Sequence, residues 1–249
     1  MLRVAVLGAL GRMGQTTCAA IDGDPDVELV AALDADDSRE KLLDAGADVC
    51  VDFTHPDSVK ANVLWLLRAG VHAVVGTTGL TDEDLAEIDQ ATGPANALVA
   101  PNFAVGAVLL MRFAEEAAVH LPNVEIIELH HDRKADAPSG TALRTAKLIA
   151  EAQRSAPPGT AAAGGTPAPV GPDDNPARGL LEKKIPVHSV RLPGLVAHQQ
   201  VMFGGTGETL TLTHDSLDRS SFMPGVLLAV KAVGTRPGLT VGLEHILFD

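Results

Sequence analysis

The sequence predicts an α/β chain: a doubly wound parallel-sheet domain joined to a smaller α+β domain with a mixed sheet. Three observations carry this. From Leu2 to Ala100, short continuous apolar runs alternate with helical stretches; after Pro101, strand-like runs lie close enough together to pair with one another; and after Ser216 a helix-then-strand order returns. The 249 residues, 46% of them hydrophobic, suffice for one large domain or two modest ones.

In the first part, Arg3–Leu7, Val27–Leu33, Asp48–Asp52, His72–Val75 and Ala97–Ala100 read as strands. They are unbroken apolar runs, as expected where helices cover both faces of a sheet. Gly11–Ile21, Pro56–Ala69 and Asp82–Ala91 between them have helical spacing; strand followed by helix, repeated, is the doubly wound, Rossmann-like signature, and right-handed crossovers restrict the topology to a small set. In the second part, Val105–His120 predicts a helix, Val124–Leu129 a strand and Thr141–Ala152 a helix. Of the 25 residues from Ser155 to Gly179, 17 are Pro, Gly or Ala, which predicts a surface loop. Val187–Arg191, Ala197–Phe203 and Glu208–His214 then predict a second sheet together with Val124–Leu129. Helix Met223–Val233 and the apolar end Leu239–Phe248 return to the first domain. The expected domains are thus 1–102 with 216–249, and 103–215, with crossings near Asn102 and Ser216.

The net charge of −13 and pI near 5.0 exclude a general affinity for nucleic acid or anionic membrane, since both need a basic face. Cys18 and Cys50 have neither CxxC spacing nor a histidine cluster nearby, so they predict reduced thiols and no metal site. The opening MLRVAVLG is too short for a signal peptide, and no run reaches the roughly 18 apolar residues of a membrane helix. A cytoplasmic protein is expected.

Strand Arg3–Leu7 runs directly into Gly8, Ala9, Leu10, Gly11, Arg12, Met13 and Gly14, then a helix. Glycines there permit a sharp turn, a close approach to a pyrophosphate and tight helix–strand packing, while the helix N-terminus offers N–H groups and partial positive charge. The spacing is GxxGxxG rather than GxGxxG. Its place after the first strand strengthens it, as does Asp34, which ends the second strand 20 residues past Gly14 and suits ribose hydroxyls. A dinucleotide, NADH or NADPH, is the expected cofactor. Asp34, Asp36 and Asp37 would repel a 2′-phosphate, whereas Arg12 or Arg39 would offset this. Two further turns lie beyond strand carboxyl ends: Gly76-Thr77-Thr78-Gly79 and Ala100-Pro101-Asn102-Phe103, suited to admit and orient a nicotinamide ring.

The segment Glu125–Ala142 concentrates polar chemistry. Ser139, Gly140 and Thr141 open a helix and predict a second anion site, suited to a carboxylate, with Lys134 adding charge and His131 a donor. His130 is the candidate general acid, since imidazole titrates near working pH. A zinc site is poorly served, because adjacent strand residues point to opposite faces and no third ligand is evident.

Residues 125–142 fit E-[IV]-x-E-x-H-x-x-x-K-x-D-x-P-S-G-T-A at every position, the signature of the dihydrodipicolinate reductases, which the chain resembles over nearly its whole length. The GxxGxxG turn, the GTTG turn and the APNF stretch stand where that family contacts its cofactor. The resemblance implies hydride transfer from NADH or NADPH to a cyclic, unsaturated dicarboxylate, giving tetrahydrodipicolinate with loss of water in diaminopimelate and lysine biosynthesis. It implies His130 as the acid, Lys134 as a second donor or charge stabiliser, and His131, Lys134, Ser139, Gly140 and Thr141 around the substrate carboxylate. It also implies a homotetramer, with domain 103–215 serving substrate binding and oligomerisation and the other domain the dinucleotide. The competing expectations are a non-catalytic NAD(H)-binding sensor and another two-lobed oxidoreductase. An acylating dehydrogenase would need a cysteine nucleophile beside the nicotinamide, and Cys18 and Cys50 fall in a helix and a strand.

Overall fold

In the computed structural model, which describes residues 1–157, 159, 160 and 176–249, the chain divides into two units. One comprises Met1–Val105 and Arg219–Asp249, the other Gly106–Asp218. Each boundary falls slightly beyond the expected crossings at Asn102 and Ser216.

The first unit is built on β1 (Leu2–Leu7), β2 (Val27–Leu33), β3 (Val49–Asp52), β4 (His72–Val75), β5 (Ala97–Val99) and β11 (Leu239–Val241). They pair in the order β11-β5-β4-β3-β1-β2, every pair parallel. All four residues of β3 are buried, as is β1 from Val4 onward, so the unbroken apolar runs mark strands covered on both faces. One layer holds α3 (Pro56–Arg68) and α4 (Asp82–Ala91), and Val59, Val63, Leu66, Leu67 and Ile88 from them join Ala5, Leu7, Cys50, Ala73 and Val75 in one apolar cluster. On the other lie α1 (Arg12–Asp22) and α7 (Met223–Val233), the latter packed on β4, β5 and α1. A five-residue helix, α2 (Glu40–Asp44), was not foreseen; it is held by the fully buried Leu42 rather than by any amphipathic repeat. The apolar end resolves into β11 and a short helix, α8 (Glu244–Leu247).

The second unit centres on β6 (Asn123–His130), in the sheet order β10-β9-β6-β8-β7. It pairs antiparallel with β9 (Ala197–Gly205) and parallel with β8 (Ile185–Arg191); β10 (Glu208–Ser216) is antiparallel to β9. The mixed sheet carries α5 (Val105–Ala118) and α6 (Gly140–Arg154) on one face, through Leu110, Ala114, Ala146 and Ile149 against Ile126, Val187, Val201 and Phe203. Strand β7 (Leu180–Glu182), antiparallel to β8, was not expected so close to the breaker-rich stretch; its turn uses Lys183 and Lys184 at φ 52° and 72°. Of the loop expected over 155–179, residues 158 and 161–175 lie outside the described residues, and Pro176–Arg178 form a 3₁₀ turn. Among the described residues, no helix is long and apolar enough to cross a membrane.

Candidate functional site

The glycine turn of the first unit is built around close backbone contacts. Gly8 has φ 77°, and a Cβ there would stand 2.4 Å from the carbonyl oxygen of Phe53, so no other residue fits. A Cβ on Gly14 would stand 2.0 Å from the Gly8 oxygen, which shows how tightly α1 begins against the turn. Gly8 and Ala9 both donate their N–H groups to Leu33, and Gly11 donates to Gly8. Gly11 is the N-cap of α1 and has no side chain to satisfy the amides that follow, at Arg12 and Met13. An uncapped, positively polarised helix end beside a glycine turn has the donor set that a pyrophosphate needs. The exposed Leu10 donates its N–H to Asp34 Oδ2 at 2.9 Å, which brings that carboxylate to the rim of the turn, where the sequence predicted it. These residues therefore fit a dinucleotide. Arg39, one of the two arginines expected to offset the acidic rim, instead lies over the Trp65 ring, 5.2 Å from its centroid, and donates to Asn62, while Arg12 opens α1 at the glycine turn.

The other two predicted turns join the first one around Phe53, a residue that sequence reasoning missed. The backbone ladder continues past the strand ends, with Phe53 donating to Leu7, Gly76 to Asp52 and Ala100 to Val75, each at 3.0 Å. A Cβ on Gly76 would stand 2.1 Å from the Phe53 ring, and Phe103 meets that ring edge-on, with centroids 6.2 Å apart. Phe103 and Ala100 are buried, Pro101 and Thr78 exposed, and Asn102 Oδ1 accepts from the Ala104 N–H. Asp52, fully buried at the end of β3, was also missed. Its carboxylate accepts from the Thr54 N–H and hydroxyl, the Thr77 hydroxyl and Asn62 Nδ2, at 2.7–3.0 Å. A buried charge so supplied with donors is tolerated without a cation.

In the second unit the predicted residues gather at the end of β6. His130 is the last residue of that strand and 14% exposed; its Nδ1 lies 2.5 Å from Glu128 Oε2. Glu128 is 0% exposed, and Arg191 at the end of β8 grips both its oxygens, Nη1 to Oε2 at 2.9 Å and Nη2 to Oε1 at 2.8 Å. The Ser139 N–H donates to Oε1 at 3.1 Å. Burial by itself would raise this carboxyl, but hydrogen bonds from His130, Arg191 and Ser189 outweigh it and hold Glu128 at about 2. Arg191 also donates to the carbonyls of Lys134 and Asp136, so the loop after β6 hangs from the same guanidinium.

Ser139 is the N-cap of α6, its hydroxyl accepting from the Ala142 N–H at 3.2 Å. Accepting that bond leaves the Ser139 O–H as a donor, so the anion-binding capacity of this tip lies in that hydroxyl together with backbone groups at Gly140 and Thr141. Among the described residues, a Cβ on Gly140 would meet nothing within 4 Å, so space opens above the helix end. Lys134 pairs with Asp136 at 2.8 Å, and His131 is half-buried beside His130. Sequence reasoning missed Glu128 and Arg191 as site residues. Arg191 has no local signal, since only the β6–β8 pairing brings it to Glu128.

Comparison with known proteins places the chain in a family. Residues 2–103 match the family model described as dihydrodipicolinate reductase, N-terminus, and residues 106–247 match dihydrodipicolinate reductase, C-terminus. The 4-hydroxy-tetrahydrodipicolinate reductase of Nocardia farcinica is 55% identical over 252 residues, covering 99% of this chain and 98% of that one. The enzyme of the same name from Mycolicibacterium vanbaalenii is 53% identical over 249 residues, covering 99% of both. A solved structure, dipicolinate-bound dihydrodipicolinate reductase from Paenisporosarcina sp. TG-14, superposes with a TM-score of 0.83 at 41% identity over 99% of both chains. Two family models that between them span almost every residue, and relatives sharing half the sequence end to end, leave one conclusion: the chain belongs to the dihydrodipicolinate reductase family.

Proposed function

We propose that the chain reduces 4-hydroxy-tetrahydrodipicolinate to tetrahydrodipicolinate, with His130 as the proton donor and the α6 tip with Lys134 as the carboxylate clamp. The chain is an oxidoreductase using NADH or NADPH; the bound nicotinamide supplies a hydride when reduced. In balance, the substrate ring takes up that hydride and one proton and loses its hydroxyl as water. We assign residues 1–102 and 216–249 to the dinucleotide, held by Gly8, Ala9, Leu10, Gly11, Arg12, Met13 and Asp34. Gly76, Thr77, Thr78, Ala100, Pro101, Asn102 and Phe103 orient its nicotinamide end. Residues 103–215 hold the dicarboxylate.

The single observation that carries the proton-donor role is the 2.5 Å contact of His130 Nδ1 with the buried Glu128 carboxylate. A carboxylate accepts only, so Nδ1 bears the hydrogen and Nε2 is the nitrogen left to give its proton to the reduced ring. Lys134 exchanges its partner Asp136 for substrate carboxylate, and the amides of Gly140 and Thr141 hold the same group through the helix end. A sensor would not need an imidazole fixed this way. The same reading carries a homotetramer in the cytoplasm. The half-buried Ile127 and exposed Met202, on the sheet face opposite Ile126 and Val201, are the surface we assign to association.

The test follows NADH oxidation with substrate generated from pyruvate and aspartate semialdehyde by the preceding synthase. His130→Ala is expected to lower kcat by roughly 10²-fold with little change in KM, as for loss of a general acid. Lys134→Ala is expected to damage both kcat and KM. Near-normal turnover in His130→Ala would remove the acid role, and no oxidation by the parent chain would remove the reaction.

A further inference from the structure

We infer that Glu128 is a positioning residue for the reduction, fixing which nitrogen of His130 delivers the proton and tying that acid to the substrate clamp. The inference rests on the acid role proposed for His130 and goes one step inward from it. The geometry is specific. Glu128 is fully buried in the central strand, and its carboxylate takes donors at 2.5–3.1 Å from the His130 ring, both terminal nitrogens of Arg191 and the Ser139 N–H, with the Ser189 hydroxyl of β8 as a further donor. The bidentate Arg191 grip prevents rotation of the carboxylate, so Oε2 can only face His130 and Oε1 only the N-cap of α6. The imidazole is thereby held as the Nδ1–H tautomer, and after Nε2 gives up its proton the neutral ring keeps its bond to Glu128.

One carboxylate thus sets three parts of the site. It orients the acid directly, places Ser139 and the first turn of α6 through one amide bond, and shares Arg191 with the carbonyls of Lys134 and Asp136. The charged groups facing the pair are Arg191 from β8 and Lys134 and Asp136 from the loop; His198 of β9, bonded to Asp215 of β10 at 2.8 Å, is paired with Leu129 and so lies on the other face of the sheet. Of these only Arg191 touches Glu128, so the acid–carboxylate pair keeps its own partners.

The decisive experiment is a double-mutant cycle of Glu128→Gln and His130→Ala in the full chain, read as separate kcat and KM values. Glutamine keeps the size and one acceptor oxygen for Ser139 or Arg191 but removes the charge that holds Nδ1–H. Glu128→Gln alone is expected to lower kcat by roughly 10- to 100-fold with substrate KM changed less than about threefold, since glutamine keeps an acceptor for Ser139 or Arg191, and to cost less than about threefold once His130 is alanine. A merely structural role would instead lower activity by the same factor in both backgrounds, and that result, or normal turnover of Glu128→Gln, overturns the inference. Nitrogen-15 spectra of histidine-labelled parent protein supply a reading that needs no substitution at Glu128. At a pH where the ring is neutral, the His130 signal should be that of the Nδ1–H form, and an Nε2–H signal overturns the inference even if Glu128→Gln fails to fold. Should His130→Ala alone turn over normally, the acid role itself fails, an outcome separate from any failure of Glu128.

Discussion

The hydroxyl of Thr77 donates to the buried carboxylate of Asp52 across 2.7 Å, and this bond fastens the turn after β4 to the end of β3. Thr77→Val removes the donor and keeps the shape. It should cost about 1–2 kcal/mol of stability, because the acceptor is charged and out of water. By loosening the turn, it should also raise the cofactor KM about three- to tenfold, with Thr77→Ser close to the parent. Thermal unfolding and NADH titration measure the two effects, and an unchanged cofactor KM would mean the turn does not orient the cofactor.

Gly140 separates ligand space from packing. A Cβ there meets no other heavy atom of the described residues within 4 Å, so Gly140→Ala should leave the melting temperature within a degree or two. If substrate carboxylate sits on the α6 tip, the added methyl group enters its space and raises substrate KM by roughly tenfold or more. Parent-like KM would place the carboxylate elsewhere.

Asp34 is bonded to the Leu10 N–H and carries the case for NADH. Asp34→Ala should raise the KM for NADH about tenfold, the loss of one good hydrogen bond to a ribose hydroxyl, while NADPH loses a repulsion and gains relative to it. The ratio of kcat/KM for the two cofactors is the measurement; equal changes for both would remove Asp34 from ribose recognition.

Glu128 also predicts how stability responds to acid. Its folded value, about 2, lies below the ordinary 4.5, so its contribution is complete above pH 4.5 and is lost as pH falls toward 2. Denaturant unfolding should therefore find Glu128→Gln less stable than the parent at pH 7, with the gap closing between about pH 4.5 and 2. A gap independent of pH would show that the charge of Glu128 does not stabilise the fold.

The strands of the first unit and the glycine turn were legible because each obeys a local rule. Buried parallel strands are unbroken apolar runs, and Gly8 and Gly14 stand where a Cβ would strike Phe53 or Gly8 itself. Asp34 was legible from its place at the end of the second strand and its distance from the glycine turn. Glu128 lay inside the recognised segment yet drew no role, since alternation along a strand says which face a residue takes and nothing of what meets it there. Its partner Arg191 lies 63 residues away and reaches it through strand pairing. Asp52 and Phe53 looked like the end of a strand; only the sheet order, which sets β3 between β1 and β4, makes them the point where three turns meet. The brief strand β7 and helix α2 escaped because one buried leucine or one pairing partner holds each, with no periodic pattern to announce it.

The most direct measurement is a crystal structure of the chain with NADH and pyridine-2,6-dicarboxylate bound together. The dicarboxylate should sit with one carboxylate on the amides of Gly140 and Thr141 and on Lys134, and with its ring between His130 Nε2 and the nicotinamide. A complex in which His130 and Lys134 face away from the bound nucleotide would contradict the proposed chemistry outright.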